Sequence, residues 1–143
     1  MKNLMFTVLF AVLSLAATAQ CDKKATAKAT TGYFVQDGNK QQGMPFDASL
    51  TFSKDKIVIT INMSGQSMTV TNTITETVSC EWKSFLKDGK AVYKASANKG
   101  TGDVEPTTIR INGKDGKTTI YFGNDPDTDG GLELELTEIK VEE

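Results

Sequence analysis

The sequence contains no histidine and only one arginine, Arg110. Without histidine, Ser-His-Asp and Cys-His catalysis are excluded, as is any zinc site built on imidazole ligands. A single arginine leaves little for clamping phosphate groups, and neither a GxGxxG nor a P-loop pattern occurs in the chain. We therefore predict that the protein is not an enzyme.

The sequence also lacks an excess of either charge, with 16 basic and 18 acidic residues. Affinity for nucleic acid depends on neutralising phosphates with lysine and arginine, so this balance argues against a nucleic-acid partner. Helical periodicity is missing as well, because no window of ten residues after residue 19 shows it and Thr, Val and Ile are frequent. The fold class that remains is all-β.

The N-terminus has the order of a cleavable secretory signal peptide. Lys2 precedes an apolar stretch of about 14 residues, Leu4 to Ala17, and small residues follow up to Ala19. A transmembrane helix needs about 20 apolar residues. We therefore predict a signal peptide over residues 1–19 and an exported product, periplasmic or secreted, with no transmembrane segment after cleavage. The alternative is a protein lipid-anchored through Cys21, although such processing prefers a smaller residue than Gln20 before the cysteine.

The chain has two cysteines, Cys21 and Cys80, and both remain after the predicted cleavage. In an oxidising compartment a disulfide between them would close a loop of about 60 residues and add a few kcal/mol of stability. The sequence leaves this pairing open, because Cys21 can belong to a mobile arm and Cys80 to the apolar face of a strand. Oligomeric state is open too.

Residues 20–30 carry little to bury, and we predict a flexible lead-in there, followed by a single β domain over residues 31–143. From residue 31 onward, apolar and polar residues alternate between turn signals, which is the period of half-buried strands. The clearest case is 56–63, where Ile57, Ile59, Ile61 and Met63 share one face. With the alternating run that follows, it predicts a hairpin. We expect strands near 31–36, 47–53, 56–63, 67–74, 76–86, 90–97, 105–112, 117–123 and 131–141.

The connections between these runs are short, and four of them contain Asp-Gly, which suits tight hairpin turns. Two of the four pairs lie in the same tetrapeptide, KDGK, at 87–90 and 114–117. In the last strand the apolar alternation slips by one residue, so we predict a bulge near Thr137 and Glu138. An up-and-down antiparallel meander of about eight or nine strands, closed into a small barrel, fits this pattern. A two-sheet sandwich is the alternative, with 37–46 and 98–104 as crossovers.

One acidic segment, NDPDTDGGLELE, has the spacing of half a calcium loop, with oxygen ligands at Asp125, Asp127 and Asp129. Its twelfth position is Leu136 rather than a bidentate glutamate, and both flanks read as strands. An acidic hairpin turn is the other interpretation. Calcium is the only cofactor that the sequence suggests.

Several aromatic and methionine residues are candidates either for the core or for lining an apolar pocket, because such side chains adapt to varied ligands. They are Trp82, Tyr93, Tyr121, Met63 and Met68. The alternation alone does not say which face of each strand lies inside.

The run Gly32-Tyr33-Phe34 occupies the place of the Gly-x-Trp that typically opens the first lipocalin strand, with no tryptophan here. Over about residues 31 to 141 the chain resembles the small lipocalin-like, calycin-type β-barrel proteins that bacteria export. The resemblance implies a barrel that holds a small apolar or amphipathic molecule, and it assigns no binding residues.

The function expected from the sequence is an exported, non-enzymatic binding protein. One alternative is a sandwich-like module that contacts protein or glycan at the cell surface. Another is a carboxylate-based hydrolase, whose candidate acids are Glu76, Glu81, Asp103 and Glu105.

Overall fold

The computed structural model describes residues 20–124 and 130–143. The predicted signal peptide and the predicted calcium ligands Asp125, Asp127 and Asp129 lie outside these residues. A three-residue 3₁₀ turn, Gln20–Asp22, precedes nine strands: β1 (Ala25–Gln36), β2 (Asn39–Lys40), β3 (Met44–Phe52), β4 (Lys56–Met63), β5 (Gln66–Ser84), β6 (Asp88–Asn98), β7 (Val104–Lys114), β8 (Lys117–Gly123) and β9 (Gly131–Val141). The prediction of an all-β fold is confirmed.

The strands form a closed antiparallel barrel. From β3 to β9 each strand pairs with the next along the chain, β1 pairs with β3, and β1 also pairs with β9, which completes a ring of eight strands. The ninth strand, β2, is short and pairs only with the end of β1. The predicted barrel is confirmed, and the alternative of a two-sheet sandwich is wrong, because a sandwich leaves sheet edges that this ring does not have.

The flexible lead-in predicted for residues 20–30 is wrong from Ala25 onward. This segment is the first half of β1, which pairs on one side with β3 and on the other with β9. Ala25, Ala27 and Ala29 face the interior and are buried. Alanine has low β propensity and a small side chain, so its alternation with polar residues is a weak signal. The β domain therefore begins at Ala25 rather than at residue 31.

The two strands predicted at 67–74 and 76–86 are one long strand, β5. Its pairing with β6 shifts register between Ile74 and Glu76 and again between Thr77 and Ser79. Such bulges bend a strand, so β5 runs along the barrel and curves without ending. The bulge predicted near Thr137 and Glu138 is confirmed, because β9 carries an extra residue there opposite β1 and Glu138 has a φ of 48°.

The barrel has two different ends. We use the name closed end for the end of the barrel at which β1, β4, β6 and β8 begin. We use the name open end for the end at which these four strands finish. At the closed end the chain from Gln20 to Lys24 reaches from β1 to β5, three places round the ring, and Cys21 is bonded to Cys80 of β5 with a Cα–Cα distance of 6.3 Å. The amide of Glu142 donates to the Lys24 carbonyl at 2.8 Å, and Lys54 pairs with Asp22 at 3.6 Å. This N-terminal segment therefore lies across the closed end.

The turn between β5 and β6 also covers the closed end. Leu86 has no exposed surface, Phe85 packs edge-on against Trp82, and the Thr118 hydroxyl donates to the Leu86 carbonyl at 2.6 Å. The buried Leu86 has a positive φ of 57°. A positive φ is costly for leucine, so tertiary packing and this hydrogen bond hold it in place.

The two KDGK tetrapeptides adopt different structures. Asp115 and Gly116, with φ of 53° and 77°, form the two-residue turn expected between β7 and β8. Asp37 and Gly38 form a similar turn between β1 and β2. The turn predicted at Asp88-Gly89 is wrong, because these residues lie in β6, where Gly89 pairs with Trp82. The fourth pair includes Asp129, which is outside the described residues.

Substitutions at Gly89 and Gly116 test this difference between the two KDGK tetrapeptides directly. A Cβ at Gly89 would lie 2.1 Å from the Glu81 carbonyl oxygen, whereas a Cβ at Gly116 would meet nothing within 4 Å. Replacing Gly89 by alanine should therefore force β5 and β6 apart and cost about 3 kcal/mol or more. Gly116→Ala should cost only about 1 kcal/mol for its positive φ. Urea unfolding of both variants measures the difference, and equal losses would contradict the assignment of Gly89 to a strand.

The disulfide gives a second prediction. The two cysteines have a sequence separation of 59, so the chain-entropy account expects reduction to lower the free energy of unfolding by about 4 kcal/mol. Urea unfolding with and without reductant measures this loss, and a Cys21→Ser/Cys80→Ser variant, which should be insensitive to reductant, is the control. Two alkylatable thiols in the unfolded, unreduced protein would contradict the pairing.

Candidate functional site

The open end of the barrel keeps apolar side chains in contact with solvent. Inward-facing positions there include Phe34 near the end of β1, Met63 at the end of β4 and Met68 near the start of β5. Their exposed fractions are 54%, 57% and 39%. Deeper in the barrel the inward-facing side chains, such as Ile109, Ile120 and Leu134, have no exposed surface. The interior is thus packed solid in the middle and open at one end.

A cavity of about 350 Å³ lies inside the open end. We call it the mouth cavity. Side chains from six consecutive strands, β4 to β9, line it, and its apolar wall consists of Ile59, Ile61, Val70, Ala97, Pro106, Phe122 and Leu132. Its volume is at the lower end of the range for small-molecule sites, which are typically lined by apolar side chains with a few placed polar groups.

The alternation of the strands positions this wall. On β4, Ile57, Ile59 and Ile61 point inward at every second position, and on β5 Val70 lies directly opposite Ile59. Gly123 and Gly131, at the ends of β8 and β9, also line the cavity and contribute no side chain to it. A hydrophobic wall with one open side follows from this pattern.

Five of the described residues that line the mouth cavity have polar side chains: Asn72, Lys99, Glu105, Thr107 and Asn124. Lys99 and Glu105 form an ion pair of 2.9 Å at the rim and remain exposed. The Thr107 hydroxyl donates to the Gly123 carbonyl at 3.2 Å. Asn72 is 2% exposed. Its side-chain amide donates to the Ile57 carbonyl at 3.2 Å.

Two of the predicted ligand-binding residues, Trp82 and Tyr93, lie at the closed end and not in the mouth cavity. Both are buried, and the Tyr93 hydroxyl approaches the Cys80 sulfur at 3.9 Å. Burial raises the pKa of Tyr93 above its usual value, the Trp82 side chain at the hydroxyl acts in the opposite direction, and the Asp22 carboxylate adds to the rise. The phenol stays neutral, and both rings belong to the core that closes the barrel.

The predicted methionines, Met63 and Met68, lie at the open end, beyond the inner wall of the mouth cavity. The sequence made them candidates for the core or for lining an apolar pocket. Neither is among the residues that line the mouth cavity, whose wall includes their neighbours Ile61, Ile59 and Val70. The alternation puts Ile59, Ile61 and Met63 on one face but leaves open whether that face lies inside.

Tyr121, the fifth predicted residue, faces outward. It lies against Gly123 and Gly131, where the Tyr121 ring and hydroxyl occupy the space of the missing side chains. A crevice of about 230 Å³ separates this part of the outer face from the β1–β2 hairpin. Lys40 of the hairpin pairs with Glu133 and lies 5.3 Å from the centre of the Tyr33 ring. Tyr121 therefore lies on the outer face, across the crevice from the hairpin, and does not line the interior.

A larger depression, about 510 Å³, lies at the closed end beside Trp82, Gly89 and Gly113. It is broad and shallow, and its walls are largely charged: Glu81, Lys83, Asp88, Lys90 and Lys114. Its apolar area is comparable with that of the mouth cavity, but it lies on a more open surface between charged side chains. The mouth cavity is the better candidate because its wall is apolar and curves inward from six strands.

The four acids considered for hydrolysis, Glu76, Glu81, Asp103 and Glu105, are all exposed, and three of them pair with lysines. Glu76 pairs with Lys94 at 3.5 Å, and Glu81 pairs with Lys90 at 3.7 Å. Glu105 is the member of the rim ion pair already described. Within residues 20–124 and 130–143, no group of three or more His, Cys, Asp or Glu side chains is placed to hold a metal ion.

In the described part of the chain, no helix is both long and apolar enough to span a membrane. We compared the chain with models of known protein families, with curated proteins and with solved structures, and found no significant match in any of the three. The candidate site therefore rests on the geometry of the barrel alone.

Proposed function

We propose that the protein is an exported, non-enzymatic binding protein that holds a small, partly apolar ligand in the mouth cavity. The observation that carries this proposal is the contrast between the two ends of one barrel. The N-terminal segment and the β5–β6 turn cover the closed end, whereas the open end leaves Phe34, Met63 and Met68 in water around an apolar cavity. Exposed apolar groups around a concave site favour a ligand that covers them.

The burial energy available is adequate for binding a small molecule. Apolar surface removed from water contributes about 25 cal/mol for each Å², so a ligand that buries roughly 200 Å² of surface in total gains about 5 kcal/mol before the cost of association. A gain of about 5 kcal/mol corresponds to a Kd of roughly 0.2 mM at best. The site therefore supports weak binding, in the range from sub-millimolar to millimolar, which does not require any catalytic group.

Export is supported by two separate features. Residues 1–19 have the order of a signal peptide. The sulfur of Cys21 is bonded to Cys80, and disulfides persist mainly in oxidising compartments. A cysteine whose sulfur is in a disulfide cannot also carry a lipid thioether, so this pairing favours release over a lipid anchor.

Filling the mouth cavity should abolish binding. We expect the mature domain to bind the neutral fluorescent probe N-phenyl-1-naphthylamine, and Val70→Trp, which places an indole in the cavity, should weaken that binding at least tenfold. Titration of probe fluorescence measures both affinities. The matched control is Thr69→Trp, because Thr69 is the neighbouring residue on the exposed outer face of β5.

Thr69→Trp should bind the probe as the unmodified domain does. Equal affinity in the two variants would contradict the mouth cavity as the site. Absence of any displaceable binding by the unmodified domain would contradict the proposed function itself.

A further inference from the structure

Asn72 is the polar side chain deepest in the mouth cavity. Along β5 the inward-facing side chains become less exposed from Met68, at 39%, through Val70 to Asn72, at 2%. Its partners across the sheet are Ile57 on β4 and Ala97 on β6, so apolar residues flank it on both sides. Burying a carboxamide among apolar groups is costly unless it is hydrogen-bonded.

Among the described residues, only one half of the Asn72 carboxamide has a hydrogen-bond partner. Its Nδ2 donates to the Ile57 carbonyl at 3.2 Å. Within residues 20–124 and 130–143, its Oδ1 accepts no hydrogen bond from the protein, and it is not among the polar atoms shut away from solvent. Because Asn72 lines the mouth cavity, this oxygen is open to whatever occupies the cavity.

The charges around the mouth cavity balance. Among the described lining residues the charged pair is Lys99 and Glu105, which neutralise each other at 2.9 Å at the rim. The one cation among the described lining residues, Lys99, is thus already paired and does not compensate an anionic head group. An unpaired charge is far more costly to bury than a neutral polar group. The inner part of the cavity therefore suits an uncharged group.

We infer that the ligand is an uncharged amphipathic molecule that enters head first and donates a hydrogen bond from a hydroxyl group to Asn72 Oδ1. The apolar part of the bound ligand then lies between Ile59, Val70, Phe122 and Leu132 and extends out through the open end. At about 30 Å³ for each water-sized group, the cavity takes roughly a dozen non-hydrogen atoms. This inference rests on the proposed function and names the chemistry of its ligand.

Two ligands of equal size isolate the hydrogen bond. 1-Nonanol and octyl methyl ether have the same number of non-hydrogen atoms, but only the alcohol can donate. In displacement of N-phenyl-1-naphthylamine from the mature domain, we expect 1-nonanol to bind about tenfold more tightly than the ether, because the alcohol satisfies Oδ1. Nonanoate, at a pH where it is ionised, should bind more weakly than the alcohol.

Asn72→Leu, which removes the acceptor and keeps the number and branching of the side-chain heavy atoms, should reduce the preference for alcohol over ether to about one. Asn62→Leu is the control, since Asn62 is exposed and bonds to Asp47 and Ser67 on the outer face. This variant should keep the preference. The comparison of ligands on the unmodified domain needs no variant, so it decides the matter even if Asn72→Leu does not fold.

The outcomes separate the two claims. Equal binding of alcohol and ether by the unmodified domain, tighter binding of nonanoate, or a preference that survives Asn72→Leu would overturn the inference and leave the proposed function standing. If neither ligand displaces the probe and the probe itself does not bind, both are overturned.

Discussion

The pairing of β1 with β9 is the interaction on which the rest of the structure depends. It joins the first strand of the domain to the last and closes β1 and β3 to β9 into a ring of eight strands, to which β2 adds a short extra strand. Closure gives every inward-facing position a common interior. The small side chains of Ala25, Ala27 and Ala29 on β1 leave room there for larger residues from the opposite strands, and the extra residue of β9 at Glu138 adjusts the register at the seam.

The closed ring still has two ends, and these two ends differ in structure. Cys21, bonded to Cys80, holds the N-terminal segment over one end, and Phe85 and Leu86 fill the space beside it. Nothing equivalent among the described residues covers the other end, where β1 extends into its hairpin with β2 and the hairpin lies on the outer face near Tyr121. The asymmetry of the ends is what makes a binding function plausible for a barrel whose middle is fully packed.

Much of this fold could be predicted from period-two alternation. The run Ile57 to Met63 specifies its strand and its inward face, and the slip after Leu136 specifies the bulge at Glu138. The alternation could not predict how tertiary packing changes the structure of a local sequence. One KDGK forms a turn and the other does not, because at 87–90 the packing of Leu86 at the closed end moves the turn upstream of Gly89.

Prediction of the candidate site from the sequence meets the same limit. Trp82 and Tyr93 are aromatic residues of the kind that often line pockets, yet here they belong to the core that closes one end of the barrel. Whether such a residue is buried or lines a pocket depends on which end of β5 and β6 is covered. Asn72 was visible as a polar residue on an apolar face, but its significance comes from the half-satisfied carboxamide and from its position in the cavity. Neither property can be read from the order of residues.

Methyl NMR spectroscopy of the isoleucine-labelled mature domain tests the account most directly, because isoleucines mark different depths of the barrel. On addition of N-phenyl-1-naphthylamine, shifts should appear at Ile59 and Ile61, which line the mouth cavity, and not at Ile109 and Ile120, which have no exposed surface. Shifts confined to other isoleucines, or no saturable shift at Ile59 and Ile61, would contradict a binding site inside the open end.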